Sequence, residues 1–144
     1  MAMTFQEILI AQFNLLEHSD WNDSEYYTPA IMQRLKRATE VVSDYAARHK
    51  FEFKFSDHFF DQIKKERGIG NITTQGLLDA CGAIFDHGLL RFNNKENGTA
   101  FAFCHSRDSS YVTIGVRKID SNRFLAGTIV RDVRWLGKEQ KILI

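Results

Sequence analysis

Residues 51–68 read FEFKFSDHFFDQIKKERG, and this stretch changes from a strand pattern to a helix pattern within one residue. Every second residue from 51 to 55 is phenylalanine and the two between them are charged, which is typical of a strand with one buried face. Ser56 supplies a side-chain oxygen suited to an N-cap, so the sequence predicts a helix that begins at Asp57. A strand should therefore lead directly into a helix.

His58 would lie in the first turn of this helix. The partial positive charge of a helix start disfavours the imidazolium form, so we expect a neutral ring that can accept a proton. Free N–H groups in the same turn can bind a phosphate. The helix would end at Gly68, after three basic residues that complement the negative end of its dipole: Lys64, Lys65 and Arg67.

The composition indicates one folded globular domain. The chain has 144 residues, 44% of them hydrophobic, and twelve are phenylalanine, which suits a single core. No run of about 18 apolar residues exists, and the N-terminus lacks the basic start of a signal peptide, so we expect a cytoplasmic protein with no membrane partner. Cys81 and Cys104 lack metal-ligand spacing and should be buried free thiols.

Net charge and motifs exclude several function classes. A formal charge of only +1 argues against binding nucleic acid by charge alone. The sequence contains no Walker loop, no HExxH, no GxSxG and no carboxylate cluster suited to magnesium. We therefore expect neither a metal nor another cofactor.

The elements around residues 51–68 predict an α+β fold. A first helix should span about 5–17, and a second should run from Thr28-Pro29 to near His49. After the strand and its helix, a further helix ends at Gly88, and short strands follow at about 89–92, 99–105, 111–118 and 124–133. The single domain 1–144 would thus combine a helical extension, 1–50, with a β-α-α-β-β-β-β unit, 51–144, whose sheet is mainly antiparallel.

This order of elements resembles the RelE-like ribonuclease fold of toxins, and FEFKFSDHFFDQIKKERGI is similar to the matching stretch of phage RegB-type mRNA endoribonucleases. The likeness continues loosely into FDHGLLRF, residues 85–92. The resemblance implies metal-independent RNA cleavage, in which a base takes the ribose 2′-OH proton, the 2′-oxygen attacks phosphorus and cations stabilise the transition state. The products would be a 2′,3′-cyclic phosphate and a 5′-hydroxyl.

His58 occupies the position of one catalytic histidine of the RegB-type family. The chain departs from the family in the region of the second, because residues 80–83 contain no histidine. Gln62 also stands where the family has an arginine. Two alternatives stay open: the site is rewired, or the fold has lost the activity.

Two further histidines are candidates for the missing acid. His105 ends the strand TAFAFCH with the parity of Phe101 and Phe103, so it is either a rim histidine beside the core or the replacement acid, because the RelE-like fold places its chemistry on the sheet face near hairpin ends. His87 precedes Gly88, where it would either stabilise a helix end or take part in catalysis.

Basic residues on the helix and the sheet could hold the phosphate. Lys65 lies two turns after His58 on one helix side, although Lys64 and Lys65 also suit a solvated face. Arg67 suits either a helix end or a phosphate clamp. Arginines can also bind phosphate bidentately from the sheet, or simply lie exposed at strand ends. The arginines in question are Arg107, Arg117 and Arg131.

The sequence thus favours an endoribonuclease that acts on single-stranded or ribosome-associated mRNA. His58 would be the base and His105 the acid, with Arg67, Arg107 and Arg117 as phosphate contacts. The partners would be RNA and the ribosome or a ribosomal protein. The rival hypothesis is a non-catalytic module of the same fold that binds RNA or a host protein through its N-terminal helices.

Overall fold

The computed structural model of the chain describes residues 7–9, 11, 29–65, 74–107, 110–130 and 140–144. These residues form an α+β fold with several helices and one five-stranded sheet. The helix predicted over 5–17 is described only at residues 7–9 and 11, which are helical. The later elements are α1 (Pro29–Arg48), β1 (Glu52–Phe55), α2 (Asp57–Lys65), α3 (Thr74–Ala83), β2 (Ala100–Arg107), β3 (Ser110–Asp120), β4 (Arg123–Val130) and β5 (Gln140–Leu143).

Helix α1 starts at the predicted proline and ends one residue before His49, which confirms its predicted bounds. It packs against β1 and α3, and the Ser43 hydroxyl donates a hydrogen bond of 2.7 Å to the carbonyl oxygen of Phe53. None of the helices in the described ranges is both long and apolar enough to span a membrane.

The strand and helix predicted from residues 51–68 are present as β1 and α2. Phe53 is 1% exposed, whereas Lys54 is exposed, as the alternating pattern requires. Helix α2 begins at Asp57 and buries Phe59 and Ile63. Its predicted end at Gly68 lies outside the described residues.

The strand predicted at 89–92 is wrong. Helix α3 continues into a π-helical turn, Ile84–Gly88, and then a 3₁₀ helix, Leu89–Phe92. A strand would place Leu90 and Phe92 on one face, but Leu90 is 65% exposed and Phe92 only 2%. Helical winding instead places Leu89 and Phe92 on the same side, so Phe92 reaches the rings of Phe101, Phe103 and Phe124.

The sheet has the strand order β1-β4-β3-β2-β5. The three long strands β2, β3 and β4 pair antiparallel, as predicted, while the short edge strands β1 and β5 join in parallel. Strand β5 was not predicted from the sequence. Only one of its four residues, Ile142, is buried in the structure.

An aromatic cluster joins the helices to the sheet. The Phe53 ring lies 5.1 Å from the ring of Phe85 and 5.4 Å from that of Phe55, measured between centroids. Cys81 and Cys104 are free and buried, as predicted; Cys81 lies in this core, and burial raises the pKa of its thiol. Phenylalanine rings thus connect the sheet to the helices within a core that also contains many aliphatic side chains.

Replacing Phe53 with alanine should lower the free energy of unfolding by about 3–5 kcal/mol, because it removes a buried ring from this cluster and leaves a cavity. Urea unfolding followed by circular dichroism measures the loss. Leu90→Ala is the control, since an exposed side chain should change stability by less than about 0.5 kcal/mol. Equal losses in the two variants would contradict the assignment of Phe53 to the core.

Candidate functional site

A cavity of about 280 Å³ lies where the start of α2 meets β2, β3 and β4. Arg117 pairs with Ala100 on one side and with Leu125 on the other, so these three residues form a row across the sheet. The adjacent residues Val116 and Ala126 are in the hydrophobic core, which places the row on the opposite sheet face. The cavity is lined by Ser56, His58, Ala100, Gly115, Val116, Arg117, Leu125, Gly127 and Thr128.

Ser56 attaches the start of α2 to β4. Its hydroxyl oxygen accepts a hydrogen bond of 3.1 Å from the Phe59 amide, which is the N-cap bond predicted from the sequence. The same hydroxyl donates to the Gly127 carbonyl oxygen at 3.1 Å, and the Ser56 amide donates to the Ala126 carbonyl oxygen at 3.0 Å. These bonds fix the first turn of the helix, and with it His58, at the cavity.

His58 is exposed in the first turn of α2, and its ring nitrogen Nε2 lies 3.1 Å from Nε2 of Gln62. The contact suits the neutral tautomer that carries its proton on Nδ1, in which Nε2 accepts from the Gln62 amide. The pair spans one helical turn, which is the spacing at which side chains on a helix meet. In that tautomer His58 Nε2 has a lone pair that can accept an N–H or a hydroxyl.

Arg117 contributes the cation of the cavity. Its Nη1 donates a hydrogen bond of 3.0 Å to the carbonyl oxygen of Gly98, a turn residue whose φ of 91° suits glycine. A guanidinium carries five N–H donors, so a bond to Gly98 leaves it able to bind an anion as well. The turn thus orients the guanidinium without using up its donors.

The charge of the lining favours an anionic ligand. The described lining residues include one arginine and one histidine but no aspartate or glutamate. Within the described ranges, no cluster of three or more histidine, cysteine, aspartate or glutamate side chains could hold a metal ion. The arrangement can therefore bind an anion at Arg117 and accept a proton at His58.

The structure does not bring His105 to this cavity. His105 pairs with Val112, and its side chain lies on the face that carries Phe101 and Phe103, opposite to the row of Arg117. Its Nδ1 lies 3.2 Å from the carbonyl oxygen of Ile144, to which it can donate. His58 and His105 therefore lie on different faces and do not flank one phosphate in this conformation.

The remaining predicted site residues are only partly described. Arg107 pairs with Ser110 at the end of the β2–β3 hairpin that is remote from Arg117, whereas Arg117 pairs with Ala100 at the other end. For Lys64, Lys65 and Arg107 the side chains lie outside the described part of the structure, and Arg67 and Arg131 lie outside it altogether. His87 is exposed in the π-helical turn, and it does not line the cavity.

Sequence reasoning missed the side of the cavity formed by β4. Leu125, Gly127 and Thr128 line it, but their segment appears in the sequence as an ordinary strand with one glycine. A glycine inside a strand pattern was the available signal, because it often marks a bulge or the close approach of a ligand.

Comparison with known proteins assigns no function to the cavity. No protein-family model matches the chain, and neither a curated protein nor a solved structure matches it. The function must therefore follow from the chemistry of the side chains.

Replacing Ser56 with alanine should lower the free energy of unfolding by about 1–3 kcal/mol, because both the helix cap and the bond to Gly127 are lost. Chemical denaturation measures the change. Ser56→Thr keeps a hydroxyl that both accepts and donates and should retain most of the stability. Ser106→Ala, at an exposed position, is the matched control. If Ser56→Ala loses no more unfolding free energy than Ser106→Ala, Ser56 does not bridge α2 and β4.

Proposed function

We propose that this protein is a metal-independent endoribonuclease that cleaves single-stranded mRNA. The observation that carries the proposal is that His58 and Arg117 line one cavity, although they come from a helix start and from a distant strand. The similarity of residues 51–69 to the matching stretch of RegB-type endoribonucleases supports the same reaction.

In the proposed reaction, His58 takes the proton of the ribose 2′-hydroxyl. The 2′-oxygen forms a bond to phosphorus, the bond between phosphorus and the 5′-oxygen breaks, and the 5′-oxygen takes a proton from water. Arg117 stabilises the charge that develops on the phosphoryl oxygens, which is where fixed donors contribute most to catalysis. The products are a 2′,3′-cyclic phosphate and a 5′-hydroxyl.

Gln62 would be displaced from His58 in this reaction. The substrate hydroxyl needs the same Nε2 lone pair that the Gln62 amide engages. The exchange costs little, because the bond is exposed and its loss is compensated by water and by the substrate. The proposal thus requires a rotation of one surface side chain.

A binding module without catalysis is the second candidate. The supporting observation is that, among the described lining residues, His58 is the only side chain of a type that exchanges protons near neutral pH. Such a module would bind RNA or a host protein. It requires Arg117 for an anion but does not require His58 as a base.

His58→Ala should lower the rate of RNA cleavage by about 10²–10⁴-fold, which is the usual contribution of a general base. Purified protein is incubated with total RNA in EDTA, with and without ribosomes, and new 5′-hydroxyl ends are mapped by sequencing. His87→Ala, an exposed histidine away from the cavity, should cleave at the wild-type rate. If wild type and His58→Ala yield the same ends in both settings, the enzyme hypothesis is rejected in favour of the binding module.

Arg117→Ala should lower the cleavage rate roughly 100-fold, because a donor to the developing phosphoryl charge is removed. Arg117→Lys should lie between wild type and alanine, since lysine keeps the charge but not the planar fork. The control is Arg91→Ala, at an exposed arginine of the 3₁₀ helix. Full activity of Arg117→Ala, measured on the same RNA, would remove Arg117 from the proposed site.

A further inference from the structure

Gly127 lies inside β4, at a bulge in the sheet. Gly115 pairs with Thr128 and the next residue, Val116, pairs with Ala126, so Gly127 is the extra residue on β4. It lines the cavity, and its carbonyl oxygen accepts the hydrogen bond from Ser56. The bulge therefore lines the candidate site.

The fold does not require glycine at position 127. Among the described glycines, Gly98 has the positive φ, 91°, so the bulge is not in the left-handed region. A Cβ added at Gly127 would meet the Ser56 hydroxyl oxygen at 4.0 Å, which is an ordinary van der Waals distance. Alanine would fit there without strain.

Gly98 and Gly88 are different, because the structure accounts for both. Gly98 occupies a turn conformation that residues with side chains rarely adopt. A Cβ at Gly88 would approach the buried ring of Phe103 to between 3.0 and 3.3 Å. Each of these two glycines is needed for the backbone or for packing.

Glycine inside a strand weakens the strand relative to alanine, so the chain gives up stability at position 127. A glycine inside a strand often marks a bulge or a place where a ligand or another backbone approaches closely. At Gly127 the space beside the backbone is the cavity itself. The missing side chain is thus explained by what the cavity admits.

The positions of the neighbouring residues indicate which part of a ligand lies there. Along β4, Leu125 lies opposite Arg117, and Gly127, two residues further on, contacts Ser56 of the helix start. Gly127 therefore lies between the cation and the turn that carries His58. In RNA, the 2′-hydroxyl and the phosphate belong to one ribose unit, so a phosphate at Arg117 and a hydroxyl at His58 place the ribose between them.

We propose that Gly127 determines access to this site, because its lack of a side chain admits the ribose-phosphate backbone of RNA between His58 and Arg117. The inference rests on the proposed function. A side chain at position 127 would occupy the space of the sugar, and its Cβ would have the Ser56 hydroxyl oxygen but no atom of His58 or Arg117 within 4 Å. Gly127 is therefore a specificity-determining residue and not a catalytic one.

Two variants, Gly127→Ala and Gly127→Val, test the inference together with Gly88→Ala as the control. Three quantities are measured: the melting temperature, kcat and KM for a single-stranded RNA, and the Kd of a short random-sequence 2′-fluoro RNA. The last probe has a sugar-phosphate backbone but no 2′-hydroxyl, so it binds without being cleaved. Its binding is followed by fluorescence anisotropy.

The expected result is a separation of stability from binding. Gly127→Ala should melt at or above the wild-type temperature and should raise KM and the Kd about tenfold, with a smaller change in kcat. Gly127→Val should lower kcat/KM roughly 100-fold, because a displacement of about 1 Å is enough for such a loss. Gly88→Ala should do the reverse, with a lower melting temperature and a wild-type KM.

Failure of the inference and failure of the proposed function give different results. Wild-type KM and Kd in both Gly127 variants, with cleavage intact, would overturn the role of Gly127 and leave the endoribonuclease standing. In a third outcome, the wild type binds the 2′-fluoro RNA but cleaves no RNA, and Gly127→Ala loses this binding. That result would support the access role and reject the enzyme hypothesis. A wild type that neither binds nor cleaves would overturn both.

Discussion

The hydroxyl of Ser56 joins the two parts of the molecule on which the candidate site depends. It accepts from the first turn of α2 and donates to the backbone of β4, so a single oxygen both caps the helix and attaches its start to the neighbouring strand. A helix start without this hydroxyl would lose both its cap and its side-chain bond to β4, and only the backbone pairing of β1 and Ser56 with β4 would still hold it. The position of His58 follows from the same bond.

Strong local patterns made most of the described fold predictable. The alternation of phenylalanine and charge, followed by a capping serine, gave β1 and α2, and a proline after a threonine gave the start of α1. The error at residues 89–92 arose because a short apolar run has no period long enough to separate strand from helix. Leu90 lies on the outside because Phe92 packs against phenylalanines of β2 and β4. Those phenylalanines belong to other strands, so the local sequence does not show this packing.

The site was less predictable than the fold, because proximity in a sheet depends on pairing rather than on sequence distance. His58 and Arg117 were both recognisable from residue type and position, and they share a cavity. The parity of His105 with Phe101 and Phe103 was also correct, and it is this parity that separates His105 from Arg117. The only sequence signal for the bulge was a glycine inside a strand pattern. That signal does not locate the bulge, since a bulge is a property of two paired strands and their pairing is not visible in the sequence.

The distance in sequence between Ser56 and Gly127 has a consequence for how the protein acquires its site during synthesis. The two residues are 71 positions apart, and β1 pairs in parallel with β4 across the same interval. At a synthesis rate of about 5–20 residues per second, roughly 4–14 s pass between the emergence of the helix start and that of its partner strand. Throughout that interval His58 has no β4 to lie against, so a nascent chain carries the histidine without the cavity. The site is therefore assembled only after β4 has been synthesised, 71 residues behind the helix start.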